Sequence, residues 1–491
     1  MPARSLEEET STVIPSAEDL IRDRRKFLKS AASASALSLL PSKSSFGEAA
    51  IGHDLRAFVT SSTKKHQPVP AMPWETSRSS GAAAGADRIL IDRSQRLQPI
   101  LGFGCAYTDA SCFLLNSMQP PARQKFLQDT FSPRQMNLSV GRTSIGASDY
   151  SRDVYSYNDT RDDLTMQHFS IVHDEAYILP MLREMRQINP DLFLLSTPWS
   201  PPGWMKTYGS MLGGWMTEKY LAPYALYMAR FLEAYRAAGM PINAITSQNE
   251  LETDQGGSMP ATYWPPELES DFVRDHLGPL LKQKNDPTQI WLLDHNYNLW
   301  KRVRWQMADP ELRKYVAGVA WHGYVGTPDQ MSRLHELYPE LPFFWTEGGP
   351  DITDPMYALD WTRWGNVFSA ALNNWCRCLI TWNLMLDEHG APNIGPFSCG
   401  GLVTLRAGTT VEYSGQYWAL RHLSQHVRRD AVRIASHSDA TELSHVAFEN
   451  KGGSFVLVLT NTGDERDVQL SIGSLQARTH LEKNSVTTLT W

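Results

Sequence analysis

The stretch PFFWTEGG, residues 342–349, places an apolar run, a carboxylate and a pair of glycines within eight positions. Phe343 to Thr346 reads as a buried strand, because a short continuous apolar run bounded by turn residues has both faces covered. Glu347 then stands at the strand's C-terminal end, and Gly348 and Gly349 leave its carboxylate open to a substrate. A second carboxylate has the same placement: Glu250 follows the run Ala244 to Ser247 in AITSQNE, residues 244–250.

Working outward, six further runs of this kind are found: Leu101 to Gly104, Leu138 to Arg142, Leu192 to Ser196, Ile290 to Leu293, Val316 to Trp321 and Leu379 to Trp382. Between them lie amphipathic segments long enough for crossover helices, among them Tyr177 to Gln187, Leu221 to Ala238, Asp271 to Lys284 and Asp360 to Cys376. Eight strand-then-helix units predict an α/β fold, a (β/α)8 TIM barrel over residues 99–407, whose functional residues sit at the C-terminal ends of the strands. The polar and aromatic residues at those ends are Arg142, Trp199, Asn249, Glu250, His322, Tyr324, Glu347, Trp382 and Asn383. Any one of them could merely cap a strand, but the whole set on one face points to a site.

After residue 408 the pattern changes to alternating runs, Val432 to Ala435, Leu443 to Phe448, Ser454 to Thr460, Val468 to Ser471 and Ser485 to Thr490, with turn signals at 450–453 and 461–464. These predict a β-sandwich side domain over 408–491, joined by a strand at 86–98 and so built from both ends of the chain. Residues 46–85, rich in Ser, Ala, Gly and Pro, are expected to be linker. Arg24 and Arg25, ahead of Phe27, Leu28 and a short apolar run, resemble a twin-arginine signal within residues 1–45. Export to the periplasm or the exterior by the twin-arginine machinery is the expectation. The apolar run is far shorter than the roughly 20 residues of a membrane span.

A net charge of −7 offers no basic face for nucleic acid. The 16 Trp and 18 Tyr, many beside Gly, Pro, Asn or Asp, suit the flat C–H faces of sugar rings as well as they suit a large core. The five Cys, at 105, 112, 376, 378 and 399, show no metal-site spacing and leave room for one disulfide, and the 14 His contain no HExxH pair.

Two carboxylates facing one another are what glycoside hydrolysis needs: an acid to protonate the departing oxygen, and a carboxylate to attack the anomeric carbon or activate water. A gap of about 5 to 5.5 Å gives retention and about 6.5 to 9.5 Å inversion. Glu250 and Glu347 are the candidates, with Asn249 placed to bond a sugar hydroxyl and Arg142 to support the ionised partner.

At these residues the chain resembles glycoside hydrolase family 30, the glucosylceramidase family. The resemblance runs from about Leu90 to Trp491 through GFGCAYTDAS (102–111), TPWSPPGWMKT (197–207), Asn249-Glu250, PELESDFVRDHLGPLL (266–281), WHGY (321–324), WTEGG (345–349) and TWNLMLDEHGAPN (381–393). It implies a barrel with a β-sandwich, retention, and no metal or organic cofactor. It makes Glu250 the acid/base and Glu347 the nucleophile. Asp149, Trp199, Asn249, Tyr324 and Trp382 would surround the glucose, with Arg142 fixing Asp149 and His322 bracing the site. Leu251 departs from the proline many relatives carry, Gly323 replaces an aromatic residue of the lysosomal enzyme, and Met259 to Pro266 could build a further subsite. The expected activity is a β-glucosidase of glucosylceramidase type. Endo-β-1,6-glucanase, β-xylosidase and a carbohydrate-binding protein without catalysis are the alternatives.

Overall fold

In the computed structural model, which describes residues 54–76 and 87–491, four strands precede the barrel: β1 (Leu55–Thr60), β2 (Gln67–Met72), β3 (Glu75–Thr76) and β4 (Asp87–Pro99). The eight apolar runs then form β5 (Gly102–Ala106), β6 (Val140–Ser144), β7 (Phe193–Thr197), β8 (Ala244–Thr246), β9 (Gln289–Asn296), β10 (Val316–His322), β11 (Phe343–Glu347) and β12 (Cys376–Thr381). They pair in parallel, and β12 returns to β5 to close the barrel, with Cys378 opposite Gly102 and Thr381 opposite Cys105. The segment read as a signal lies outside the described residues.

The barrel interior is filled, as this architecture requires. Val140, Leu195, Ala244, Trp291, Ala320, Phe344, Cys378 and Ile380 form an apolar plug, in which the rings of Trp291 and Phe344 stack 3.7 Å apart. Nearer the strands' C-terminal ends the buried side chains turn polar: Arg142, Thr197, Thr246, Asp294 and Thr346.

One irregularity aims this polar layer. On the β9–β10 ladder Leu293 faces Ala320 while His295 faces Trp321, so Asp294 is an extra residue, and Leu293 and Asp294 have positive φ of 75° and 50°. Such a bulge re-aims side chains that strict alternation would fix. Glu269 holds it, accepting from the Leu293 N–H (3.1 Å) and the Ser247 hydroxyl (2.8 Å). Glu269 belongs to a helical stretch starting at Pro266 and interrupted by a π-helical segment, Phe272–Leu277.

After the barrel come a small sheet of β13 (Met385–Asp387), β14 (Val403–Arg406) and β15 (Thr410–Tyr413), and then β16 (Val432–His437), β17 (Leu443–Glu449), β18 (Phe455–Asn461), β19 (Arg466–Ile472), β20 (Leu475–Leu481) and β21 (Ser485–Thr490). The last six join β1 to β4 in one ten-stranded sheet, ordered β2-β1-β21-β18-β17-β16-β4-β19-β20-β3. Both chain ends therefore build the side domain.

Two boundaries need correction. The stretch 54–76 is not linker: Leu55, Ala57 and Val59 alternate inward, and β1 pairs with the final strand, Arg56 opposite Thr490. The prolines of β2 are tolerated because β2 is an edge strand. The side domain also starts later than residue 408, because Gly415–Ser424 is a helix packed against β5 and β21, the crossover that follows the eighth barrel strand. It and the helix Trp361–Asn373 carry the sheet. At Gly365 a Cβ would lie 2.4 Å from Thr460 Oγ1, so the absent side chain brings that helix against β18. All five Cys are free thiols, and no disulfide forms.

Candidate active site

Asp294 is the anchor of the site, and sequence reading passed over it. It accepts hydrogen bonds from Arg142 Nη2 (2.8 Å), Thr197 and Thr246 Oγ1 (both 2.8 Å), Thr346 Oγ1 (2.6 Å) and His322 Nε2 (3.0 Å). Burial alone would raise its pKa, but Arg142, His322 and Thr346 hold it well below the usual carboxylate range. It is a fixed negative charge that orients a cation on each side.

Arg142 is one of these cations. Fully buried, it donates through Nη1 to Glu347 Oε2 and through Nη2 to Asn249 Oδ1 (2.6 Å), and its guanidinium lies 4.6 Å from the centre of the Trp199 ring. By occupying the Asn249 carbonyl, it turns the amide's donors toward the cavity. Arg142 has no hydrogen bond to Asp149, so the expected bracing of Asp149 is corrected: the guanidinium is spent on Glu347, Asp294 and Asn249.

Glu347 ends β11 and also accepts from the Tyr324 hydroxyl (3.1 Å). Burial raises the Glu347 pKa, with the Glu250 charge adding to this and His322 and Arg142 opposing it. Glu250, after β8, has a positive φ of 48°. Its Oε1 lies 3.1 Å from His322 Nδ1 and 3.6 Å from His295 Nε2, and its Oε2 accepts from the Gln255 amide (3.1 Å).

The other cation is His322, whose two ring nitrogens both face carboxylates. Burial would lower its pKa, but Glu347, Asp294 and Glu250 outweigh burial and push it up to about 9. The same contact, with the Arg142 charge, lowers Glu250 against its own burial. With His322 raised and Glu250 lowered, the proton of this contact is favoured on the imidazole. While it sits on the imidazole, Glu250 is a base; one transfer along a 3.1 Å hydrogen bond makes Glu250 an acid.

Glu250, His322 and Glu347 each offer an atom within 4.8 Å of the others. Arg142 and the proton on His322 already fill this space with positive charge. An oxygen of each glutamate thus lies within 4.8 Å of the other's, a gap that suits direct attack better than the seating of a water, for which about 6.5 to 9.5 Å is needed.

These groups face a cavity of about 480 Å³, a size that takes a sugar. Trp199 and Trp382 form one wall, stacked 5.1 Å apart. Asp149 lies in the lining with Oδ1 buried and without a partner, and its pKa is raised well above the usual range by burial, Glu347 and Glu250. An orphaned buried acceptor of this kind calls for a hydroxyl donor from a ligand. The structure thus brings Arg142, Asp149, Trp199, Asn249, Glu250, His322, Tyr324, Glu347 and Trp382 together. Asn383 turns back into the fold, accepting from Thr108 Oγ1 (2.9 Å). His295, Asn296 and Gln255 line the cavity without having been singled out; the signal was the polar triplet Asp294-His295-Asn296 closing an apolar run.

Comparison with known proteins agrees with this layout. A family model described as the glycosyl hydrolase family 30 TIM-barrel domain matches residues 100–427, and one for the family's beta sandwich domain matches 430–489. A putative glucosylceramidase of Caenorhabditis elegans is 30% identical over 401 residues, 77% of each chain. An endo-1,6-beta-D-glucanase of Neurospora crassa is 30% identical over 388 residues, 75% of this chain and 80% of that one. Among solved structures, an endo-β1,6-glucanase superposes with a TM-score of 0.81 at 29% identity, covering 89% of this chain and all of that one.

Proposed function

For a chain that belongs to glycosyl hydrolase family 30, and is therefore a glycoside hydrolase, we propose retaining hydrolysis of a β-glucosidic bond, with Glu347 as nucleophile and Glu250 as acid/base. The observation that carries this reading is the approach of the two carboxylates within 4.8 Å at the ends of two barrel strands.

Glu347 attacks the anomeric carbon while the bond to the leaving oxygen breaks, and the proton shared by Glu250 and His322 passes through Glu250 to that oxygen. Glu250, now a base, takes a proton from water as the water attacks the same carbon and Glu347 departs. Arg142 and Tyr324 stabilise the Glu347 carboxylate before and after its covalent stage. Asn249 and Asp149 bond the sugar's hydroxyls, contacts that strengthen as charge builds in the transition state. Azide tests the roles: it is expected to rescue Glu250→Ala as a β-glucosyl azide and Glu347→Ala as an α-azide. Rescue with the opposite anomers, or none with an activated aryl glucoside, would overturn the assignment.

On the aglycone, the relatives divide between glucosylceramidases and endo-1,6-glucanases. The turn beside Glu250 carries Glu252, Thr253, Asp254, Gln255 and Ser258. These groups suit the hydroxyls of a second sugar better than acyl chains, so β-1,6-glucan is the favoured substrate over the glucosylceramide expected from the sequence. Turnover of dispersed glucosylceramide with none of β-1,6-gluco-oligosaccharides would reverse that order. Export through the Arg24-Arg25 signal belongs to the same proposal; Lys at both positions should retain the protein in the cytoplasm.

A further inference from the structure

The loops that follow β7 and β8 are zipped together. The N–H groups of Gly213, Ala261 and Tyr263 donate to the carbonyls of Met259 (3.2 Å), Met211 (3.3 Å) and Gly214 (2.9 Å). Bridges pair Leu212 with Pro260 and Trp215 with Tyr263. A Cβ on Gly213 would lie 2.7 Å from the Gly257 Cα, so the loops touch backbone to backbone beside the turn that carries Gln255.

One end of the zipped pair is in the catalytic cavity, where Gln255 and Met259 line the wall and Gln255 reaches Glu250. The other end carries aromatic surface. Trp215 is 47% exposed and Tyr208 68% exposed, and the Trp215 and Tyr263 rings lie 4.3 Å apart, inclined at 39°. The Trp215 backbone is held in place: its main-chain N–H donates to Thr207 Oγ1 (3.1 Å) and its carbonyl accepts from the Thr207 N–H (3.0 Å). Three residues separate Met259 from Tyr263, four Cα–Cα steps that span at most about 14 Å. The aromatic end is therefore within an oligosaccharide's reach of the cavity. The loop pair reaches the cavity from the Glu250 side, through Gln255, which bonds Glu250.

We propose that Trp215 and Tyr263 form a sugar-binding platform on the leaving-group side, taking a glucosyl unit of a β-linked glucan beyond the one that carries the leaving oxygen. A pyranose ring lays its C–H face on an indole, and Thr253, Asp254 and Ser258 supply hydrogen-bonding groups between platform and cavity. The proposal rests on the β-glucoside reading above.

The test compares Trp215→Ala, Trp215→Phe and wild type on an aryl β-glucoside and on β-1,6-gluco-oligosaccharides from the dimer upward, with Tyr263→Ala as a second variant on the facing loop. Trp215→Ala should leave kcat/KM for the aryl glucoside and the dimer within about twofold and lower it about tenfold for longer chains, the size of one lost aromatic anchor. Trp215→Phe should recover most of that loss. Equal losses at every chain length, or none at any length, would overturn the platform alone. A wild-type protein inactive on all of these glucosides would overturn the β-glucoside reading, and the platform with it.

Discussion

Replacing His322 with Gln should narrow the pH–rate profile from both sides. In the wild-type site the alkaline side is set by loss of the proton held between His322 and Glu250, and His322 keeps it to about pH 9. The acid side is set by Glu347, raised by burial and held down by the His322 charge among others. In the variant the proton is held by Glu250 alone, so the alkaline side should fall toward neutrality. Glu347 loses a neighbouring cation, so the acid side should rise. Stability gives the magnitude. A folded-state pKa of about 9 against an ordinary 6.5 is a difference of about 2.5 pH units, and at ~1.36 kcal/mol per unit this amounts to about 3 kcal/mol. Because the pKa is raised on folding, the contribution is complete below pH 6.5 and is lost as pH rises through about 9. The assay is kcat/KM for an aryl β-glucoside across the pH range, with thermal melts at the same values. A variant whose plateau drops while both sides stay in place, and whose melting temperature keeps the wild-type pH dependence above pH 6.5, would show that His322 only fills space.

Arg142→Met leaves Asp294 and Glu347 buried with His322 as their one remaining cation, and chemical denaturation should show a loss of about 3–5 kcal/mol, the cost of breaking a buried ion pair from one side. His66 and His426 pair through their Nε2 atoms (3.1 Å) where β1 meets the helix Gly415–Ser424, and burial lowers them to about 2 and about 3. These lowered histidines are neutral in the folded state, so stability is complete above pH 6.5 and falls below it, by up to about 2 kcal/mol for each at pH 5; His66→Phe should flatten the decline of melting temperature between those pH values. Gly104→Ala puts a Cβ 1.6 Å from the Val140 carbonyl oxygen, between two barrel strands, whereas a Cβ on Gly452 meets nothing within 4 Å. The first substitution should abolish soluble protein, and Gly452→Ala should leave the unfolding free energy within about 0.5 kcal/mol of wild type.

The barrel was legible because each of its strands is buried on both faces and so reads as an unbroken apolar run closed by a turn or a polar residue, as in Phe343 to Glu347. The strand at Leu55–Thr60 gave a weaker signal. Its buried Leu55, Ala57 and Val59 alternate with exposed or half-exposed partners, and the surrounding Ser and Pro masked that short period. The helix Gly415–Ser424 was assigned to the side domain because it lies beyond the last apolar run, although its buried face packs on β5 and β21 alike.

Within the site, Arg142, His322 and Glu347 stand on strands and most of the other residues that were read follow a strand end within a few positions, whereas those that were missed follow departures from alternation. Asp294 and His295 depend on a bulge in which one residue is left without a partner across the ladder, so no count of alternating positions points Asp294 into the barrel. Gln255 reaches Glu250 from a turn in which Gln255, Gly256 and Gly257 have φ of 51°, 58° and 73°. Positive φ at Glu250, Leu293, Asp294 and Gln255 costs of order 1–3 kcal/mol at each non-glycine position, and such conformations persist only where the surroundings impose them. Here the surroundings can be named: Glu269 pins the Leu293 amide, Arg142 and three threonines pin Asp294, and Thr253 Oγ1 accepts from the Gln255 amide N–H (3.0 Å). The strain therefore falls on the groups that decide where the proton sits, and the strand pattern, which records burial, carries no mark of it.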